Sequence, residues 1–169
     1  MIYRTLSLVG AVVFSTGAMA QTTESYDAAL AVLLANTDAS DIYDDADGSG
    51  EITYEYKEED TCTLGSVTNT TLALTAGNVH AIGGSTIALR DADPDAITIG
   101  QTDAWGSFVD IHTRFSANTV RHVTHARDTC TAYCNSGETR ISKFHIQTDK
   151  PDEVAAAVRT LALACAASE

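Results

Sequence analysis

The chain has 169 residues and a formal net charge of −13, because 23 Asp and Glu residues outnumber 10 Lys and Arg residues. Hydrophobic residues make up 44% of the sequence, which suits one domain with a sizeable core. The acidic balance, concentrated in residues 21–60, argues against binding nucleic acid or an anionic membrane through bulk charge.

The N-terminus has the order of a secretory signal peptide. Arg4 is followed by a short apolar run and then by the small residues Ala18-Met19-Ala20. The apolar run is too short for a membrane anchor, since a span takes about 20 apolar residues. We therefore expect cleavage between Ala20 and Gln21, no transmembrane segment afterwards, and a periplasmic or secreted protein.

The segment after the signal peptide combines a helix with an acidic loop. Tyr26, Leu30 and Leu33 recur at helical spacing and predict a helix over residues 24–35. Asp, Gly and Ser dominate residues 37–50, which predicts a loop.

From Glu51 onward, apolar and polar residues alternate, which is typical of half-buried strands. The alternation is clearest in Ser107–Phe115, Thr119–His125 and Arg140–Thr148. Because the link between the first two of these segments is short, we expect them to form a hairpin. The spacing predicts about seven short strands paired in antiparallel fashion.

A final helix is predicted after the last strand. Pro151 stands early in its first turn beside two acidic residues, and both features favour a helix start. One stripe of this helix is apolar and is expected to be buried: Val154, Val158, Leu161 and Cys165.

Four cysteines follow the predicted cleavage site, and an even count in an exported chain favours disulfides. Of the three pairings that four cysteines allow, we favour Cys62–Cys165 and Cys130–Cys134. Cys62 and Cys165 both fall on predicted inward faces, and the other two are close in sequence. Two upstream His residues would complete a set of zinc ligands with Cys130 and Cys134, but an oxidising compartment favours the bridge.

These elements predict an α+β fold, with an antiparallel sheet or partly open barrel of about seven short strands packed by an N-terminal and a C-terminal helix. The chain divides into a signal peptide at residues 1–20, a helix and acidic loop at 21–50, and a β-rich domain with a C-terminal helix at 51–169.

The order of the predicted elements resembles a pleckstrin-homology-like barrel closed by a C-terminal helix. The elements that carry this resemblance are the strands Thr86–Arg90, Ser107–Ile111 and Phe144–Ile146, followed by the helix Asp152–Ala166. The resemblance covers about residues 51 to 166 and lies in the order of elements alone. Folds of this kind host many functions, so no site residue is carried over from it.

The acidic segment contains part of an EF-hand pattern in loop 45–52. Asp45, Asp47 and Ser49 occupy positions 1, 3 and 5, with Gly at position 6. Position 12, where a bidentate Glu belongs, is Tyr56. An acidic turn before a strand is the simpler interpretation and the one we favour. We therefore assign no cofactor, with calcium as the alternative, and any calcium bound here is expected to have an affinity on the order of 0.1–1 mM.

Asp110 and His112 share the polar face of one predicted strand, and the expected hairpin would place His122 beside them. A carboxylate next to an imidazole can perform acid–base chemistry, so a hydrolase built on these residues and His125 is one alternative. No nucleophile, zinc-protease, phosphate-loop or dinucleotide motif accompanies them, and we assign no catalytic residue.

The sequence therefore favours a non-catalytic exported domain that binds a protein or a small ligand, or that has a structural role. A calcium-binding module and a hydrolase are the alternatives. Trp105, beside a glycine, is expected to cover the edge of the core rather than to form a ligand platform.

Overall fold

The structure is a computed structural model that describes residues 17–37, 39–102 and 106–168. Most of the predicted signal peptide and Trp105 lie outside the described residues, so cleavage after Ala20 and the placement of Trp105 stay predictions. Within the described ranges, no helix is both long enough and apolar enough to cross a membrane.

The described residues form an α+β fold with two helices and nine strands, which confirms the predicted fold class. Helices flank the strands at both ends of the described chain, as expected. The elements are α1 Gly17–Ala35, β1 Ala39–Asp45, β2 Gly48–Asp60, β3 Thr63–Leu74, β4 Gly77–Ala88, β5 Ala92–Thr102, β6 Gly106–Thr113, β7 Val120–Ala126, β8 Gly137–Ile141, β9 Lys143–Gln147 and α2 Pro151–Ala166.

The strands form two antiparallel sheets rather than one. The larger sheet has the order β1-β2-β3-β4-β7-β8, and the smaller has the order β5-β6-β9. Neither sheet closes on itself, because β1 and β8 remain at opposite edges of the larger one. Of the two forms predicted, the antiparallel sheet is the one observed, and the structure does not confirm a pleckstrin-homology-like fold.

The segment predicted as an acidic loop, residues 37–50, contains strand β1 and the start of β2. Asp45 pairs with Gly48 across a two-residue turn, so a tight β-hairpin replaces the loop. Charged residues suit β1 because it is an edge strand, where charge discourages pairing with other chains. The chain here does not form an EF-hand loop, and calcium binding by Asp45, Asp47 and Ser49 stays a prediction.

The predicted hairpin between Ser107–Phe115 and Thr119–His125 is also wrong. Strand β6 pairs with β5 and β9, whereas β7 lies in the larger sheet between β4 and β8. Phe115 and Ser116 adopt left-handed backbone conformations, with φ of 57° and 53°, in the turn that separates the two strands. The chain leaves the small sheet at this turn.

The main core lies between α2 and the smaller sheet, with α1 packed against α2. The predicted apolar stripe of α2 is buried throughout. Its partners in the smaller sheet are the alternate residues of β6 and β9 that point away from solvent: Val109, Ile111, Phe144 and Ile146.

Both expected cysteine pairs are at disulfide distance. Cys62, in the turn between β2 and β3, joins Cys165 near the end of α2, with 5.6 Å between their Cα atoms. Cys130 and Cys134 join within the connection between β7 and β8, with 5.8 Å between their Cα atoms. The first bridge fixes the terminal helix to the larger sheet, and the second clips a surface segment.

Candidate functional site

The polar face of the smaller sheet carries a hydrogen-bonded cluster on β6 and β9. Asp110 lies directly opposite His145, and its Oδ1 is 2.8 Å from the His145 Nδ1. The Lys143 ammonium donates to the Asp110 Oδ2 at 2.9 Å. Asp110 is only 6% exposed, so this carboxylate is covered by the two groups that bind it.

The pKa of Asp110 reflects two opposing effects. Burial pushes the pKa of this carboxyl group upward, but hydrogen bonds from His145 and Lys143 outweigh the burial. The pKa therefore lies below the ordinary Asp value. Asp110 is an ionised anchor that holds the imidazole of His145 in one orientation.

His145 also forms part of the wall of a cleft between the two sheets. Its ring lies 4.8 Å from the Phe108 ring, and its Nε2 is 3.3 Å from the Gln147 Oε1. Gly100 pairs with Phe108 on the neighbouring strand, and a Cβ there would lie 2.2 Å from the Phe108 ring. The glycine therefore gives the Phe108 ring room to lie across β5.

The cleft has a volume of about 280 Å³ and is open to solvent on one side. Strand β2 supplies the opposite wall through Ile52 and Tyr54. A pocket with mostly apolar walls and a few converging polar groups is the usual form of a small-ligand site. The residues that line it are Ile52, Tyr54, Thr102, Phe108, His145 and Gln147.

Tyr56, two residues beyond Tyr54, fixes the two sheets relative to each other beside the cleft. Its hydroxyl accepts a hydrogen bond from the Gln147 backbone N–H at 2.8 Å, and its ring packs edge-on against Phe144. The side chain is 5% exposed, so the bond is shielded from water. Burial raises the pKa of Tyr56, which keeps the hydroxyl protonated.

A second cavity of about 310 Å³ adjoins the cleft, and Gln147 lines both. This cavity is more polar, and two acidic residues, Asp41 and Asp149, line it together with Ser107. The Asp41 Oδ2 atom is buried and has no hydrogen-bond partner within the part of the chain that the structure describes. A group that donates a hydrogen bond, or a cation, would satisfy it.

Asp41 links the two cavities electrostatically. Burial raises its pKa, while the nearby His145 acts in the opposite direction. Burial also raises the pKa of Tyr54, and the charge of Asp41 adds to that increase. Asp41 therefore lies close enough to Tyr54 and His145, both of which line the cleft, to influence them.

The structure does not bring together the His residues proposed from sequence. His112 shares a strand face with Asp110, but its Nε2 lies 3.4 Å from the Thr98 Oγ1. His122 lies in the larger sheet and bonds the Ser85 Oγ at 2.9 Å. His125, three residues further along β7, points to the opposite face. The proposed cluster of Asp110, His112 and His122 is therefore not formed.

Sequence reasoning missed His145 and Lys143, the two partners of Asp110. The signal was present, because Lys143, His145 and Gln147 alternate with the buried Phe144 and Ile146 along β9. The sequence does not show that β9 pairs with β6, and this pairing places His145 opposite Asp110.

The Asp110–His145 pair fixes the orientation of one imidazole beside the cleft. An Asp–His pair can orient an imidazole as a general base, but that role needs a nucleophile within reach of the second nitrogen. Within the described residues, the His145 Nε2 lies 3.3 Å from the Gln147 Oε1. Among the described residues, no three His, Cys, Asp or Glu side chains are grouped to hold a metal ion.

No family model, no curated protein and no solved structure matches this chain.

Proposed function

We propose that this protein is an exported, non-catalytic binding module that holds a small ligand with an aromatic body and a cationic end. The observation that carries the proposal is the cleft between the sheets, where apolar walls meet the fixed His145–Gln147 pair and adjoin the unpartnered oxygen of Asp41.

The aromatic body of the ligand would occupy the cleft itself. The rings of Tyr54 and Phe108 and the aliphatic side chain of Ile52 offer apolar surface on opposing walls, and aromatic rings gain from offset or edge-on contact beyond simple burial. The volume of about 280 Å³ is at the small end for ligand pockets, which favours a single ring over a larger ligand.

The cationic end would extend past Gln147 into the second cavity. An ammonium group there would donate to the Asp41 Oδ2 atom, and a hydrogen bond to a charged group is stronger than a neutral one. Asp149 lines the same cavity and adds a second negative charge. The net charge of −13 would also favour the approach of cations over anions.

Export is supported by the signal-like N-terminus and by the two cysteine pairs at disulfide distance. Disulfides persist in oxidising compartments and are rare in the cytosol. We therefore propose that the protein acts in the periplasm or outside the cell.

Tyramine, a phenol ring with an ethylammonium chain, is a suitable probe of the proposal. We expect it to shift the backbone amide resonances of Tyr54, Phe108 and His145 in a saturable manner. It should bind at least about tenfold more tightly than 4-ethylphenol, because a hydrogen bond to a charged group contributes about 1.5–3 kcal/mol. The absence of any saturable shift at these residues would contradict the proposal.

The matched variants are Asp41→Asn and Asp44→Asn, which remove one charge each from the same edge strand. Asp44 is exposed and lies on the opposite face of β1. We expect the preference for tyramine to disappear in Asp41→Asn and to persist in Asp44→Asn. Turnover of an aryl ester that is abolished in His145→Gln would instead favour the hydrolase alternative.

A further inference from the structure

A third cavity, of about 260 Å³, lies beside the turn that connects β6 to β7. Unlike the cleft and its neighbour, it is lined by two arginines, Arg90 and Arg114. Asp91, Ala117 and Thr119 complete the lining. Two guanidinium groups against one carboxylate give this cavity a positive balance on a chain of net charge −13.

Neither arginine takes part in a salt bridge within the part of the chain that the structure describes. Among the described residues, the salt bridges of the basic side chains involve other groups, such as Arg121 with Glu138 at 2.9 Å. Arg114 uses its Nε to donate to the Ala92 carbonyl at 3.1 Å. This bond fixes the stem of the side chain and leaves its terminal N–H groups for a ligand.

Thr119 adds a hydroxyl to the residues that line this cavity. Its Oγ1 is buried, and no hydrogen-bond partner for it exists within the described ranges. A buried hydroxyl without a hydrogen-bond partner costs free energy. A rotation about χ1 that brings the Thr119 Oγ1 to an acceptor atom of a bound ligand is therefore favourable. Thr119 would then supply a third donor beside the two guanidinium groups.

The turn between β6 and β7, which carries Arg114 and Thr119, is strained and firmly anchored. Phe115 is fully exposed, yet it and Ser116 both adopt left-handed backbone conformations that bulky residues rarely occupy. The Ala117 N–H donates to the Arg114 carbonyl at 3.2 Å, and the buried Thr113 hydroxyl donates to the Ala117 carbonyl. Strain that persists under such constraint is typical of functional segments.

From these features we propose that the cavity binds a tetrahedral dianion, the phosphate or sulfate group of a ligand. Arginine forms paired hydrogen bonds with such oxyanions, and two arginines match a charge of two. Attraction to the arginines and repulsion from Asp91 both scale with the ligand charge, so a dianion gains about twice as much as a carboxylate from the net positive charge of the cavity. This site is separate from the cleft and does not depend on the ligand proposed there.

Titrations of the protein with sodium sulfate, sodium phosphate and sodium acetate at constant ionic strength test the proposal. We expect saturable amide shifts at Arg90, Arg114 and Thr119 with sulfate and phosphate, and at least tenfold weaker binding of acetate. Equal binding of acetate, or shifts spread over the whole protein without saturation, would overturn the proposal.

Arg90→Gln and Arg159→Gln provide the matched comparison. The Arg159 Nε donates to the Pro94 carbonyl at 3.0 Å, much as Arg114 binds Ala92, but Arg159 does not line the cavity. We expect sulfate to bind at least tenfold more weakly to Arg90→Gln and normally to Arg159→Gln. Unchanged binding in Arg90→Gln, or equal losses in both variants, would refute the site. Melting curves of both variants without sulfate establish that each is folded.

Discussion

His145 on β9 lies directly opposite Asp110 on β6, and 2.8 Å separates the Nδ1 of the first from the Oδ1 of the second. The pair sits on the polar side of a sheet whose other side is core. Asp110 therefore holds in place a side chain that lines the cleft, although Asp110 itself does not line it.

Asp110→Asn is expected to destabilise the protein by about 1–3 kcal/mol at pH 7, because it removes a carboxylate that accepts two charge-assisted hydrogen bonds. The pKa of Asp110 is lower in the folded than in the unfolded state. Its stabilising effect is therefore complete above about pH 4 and is lost as the pH falls through the folded value.

Urea unfolding of wild type and Asp110→Asn between pH 7 and pH 2 measures the difference between their free energies of unfolding. The difference in free energy of unfolding between wild type and Asp110→Asn should shrink as the pH falls below about 4. Asp128→Asn, a change at an exposed acid, is the control and should have little effect. A free-energy difference between wild type and Asp110→Asn that grows toward low pH would contradict the lowered pKa that we assign to Asp110.

Tyr56→Phe is expected to cost about 1–3 kcal/mol, since it leaves the buried Gln147 N–H without its acceptor. Because this bond joins the two sheets beside the cleft, tyramine should also bind more weakly to the variant. Thermal and urea unfolding give the stability, and Tyr133→Phe, at an exposed tyrosine, is the control. Equal stability of Tyr56→Phe and wild type would show that the bond is unimportant.

The two disulfides should differ in their contributions to stability. The Cys62–Cys165 bridge spans 103 residues and the Cys130–Cys134 bridge spans 4. Loop-closure entropy then predicts a loss of roughly 5 kcal/mol for the paired Cys→Ala variant of the first and roughly 2 kcal/mol for the second. Equilibrium urea unfolding of the two double variants measures both, and a reversed order would contradict the prediction.

Phe115→Gly and Phe115→Ala test the strain in the turn between β6 and β7. At an ordinary position, Ala is the more stable of the two by about 0.4–1 kcal/mol, because Gly has more freedom in the unfolded chain. At a φ of 57°, the left-handed backbone costs Ala about 1–2 kcal/mol that Gly avoids. We therefore expect Phe115→Gly to unfold at the same or a higher urea concentration than Phe115→Ala.

The sequence was sufficient for those features that depend on local pattern. Helical spacing identified the buried stripe of α2 that ends at Cys165, and inward parity at Cys62 identified its partner. Alternation also placed Phe144 and Ile146 on one face of the last strand, and both are buried. Each of these predictions depended only on the spacing of apolar residues within one segment.

The candidate site could not be predicted in the same way, because it depends on which strands become neighbours. The turn at Phe115 carries no glycine, so nothing in its sequence indicated the left-handed conformation at which the chain leaves the small sheet. Without that turn, His122 appeared to be the neighbour of Asp110, whereas the true neighbour, His145, comes from β9.

The order of the elements along the chain determines when the fold can be completed. Helix α2 follows all nine described strands, and it covers residues such as Val109 and Ile111 in the smaller sheet. A chain that emerges N-terminus first from a membrane channel would expose those residues until α2 arrived. On the proposed export route, stable folding and the joining of Cys62 to Cys165 would therefore follow translocation instead of accompanying it.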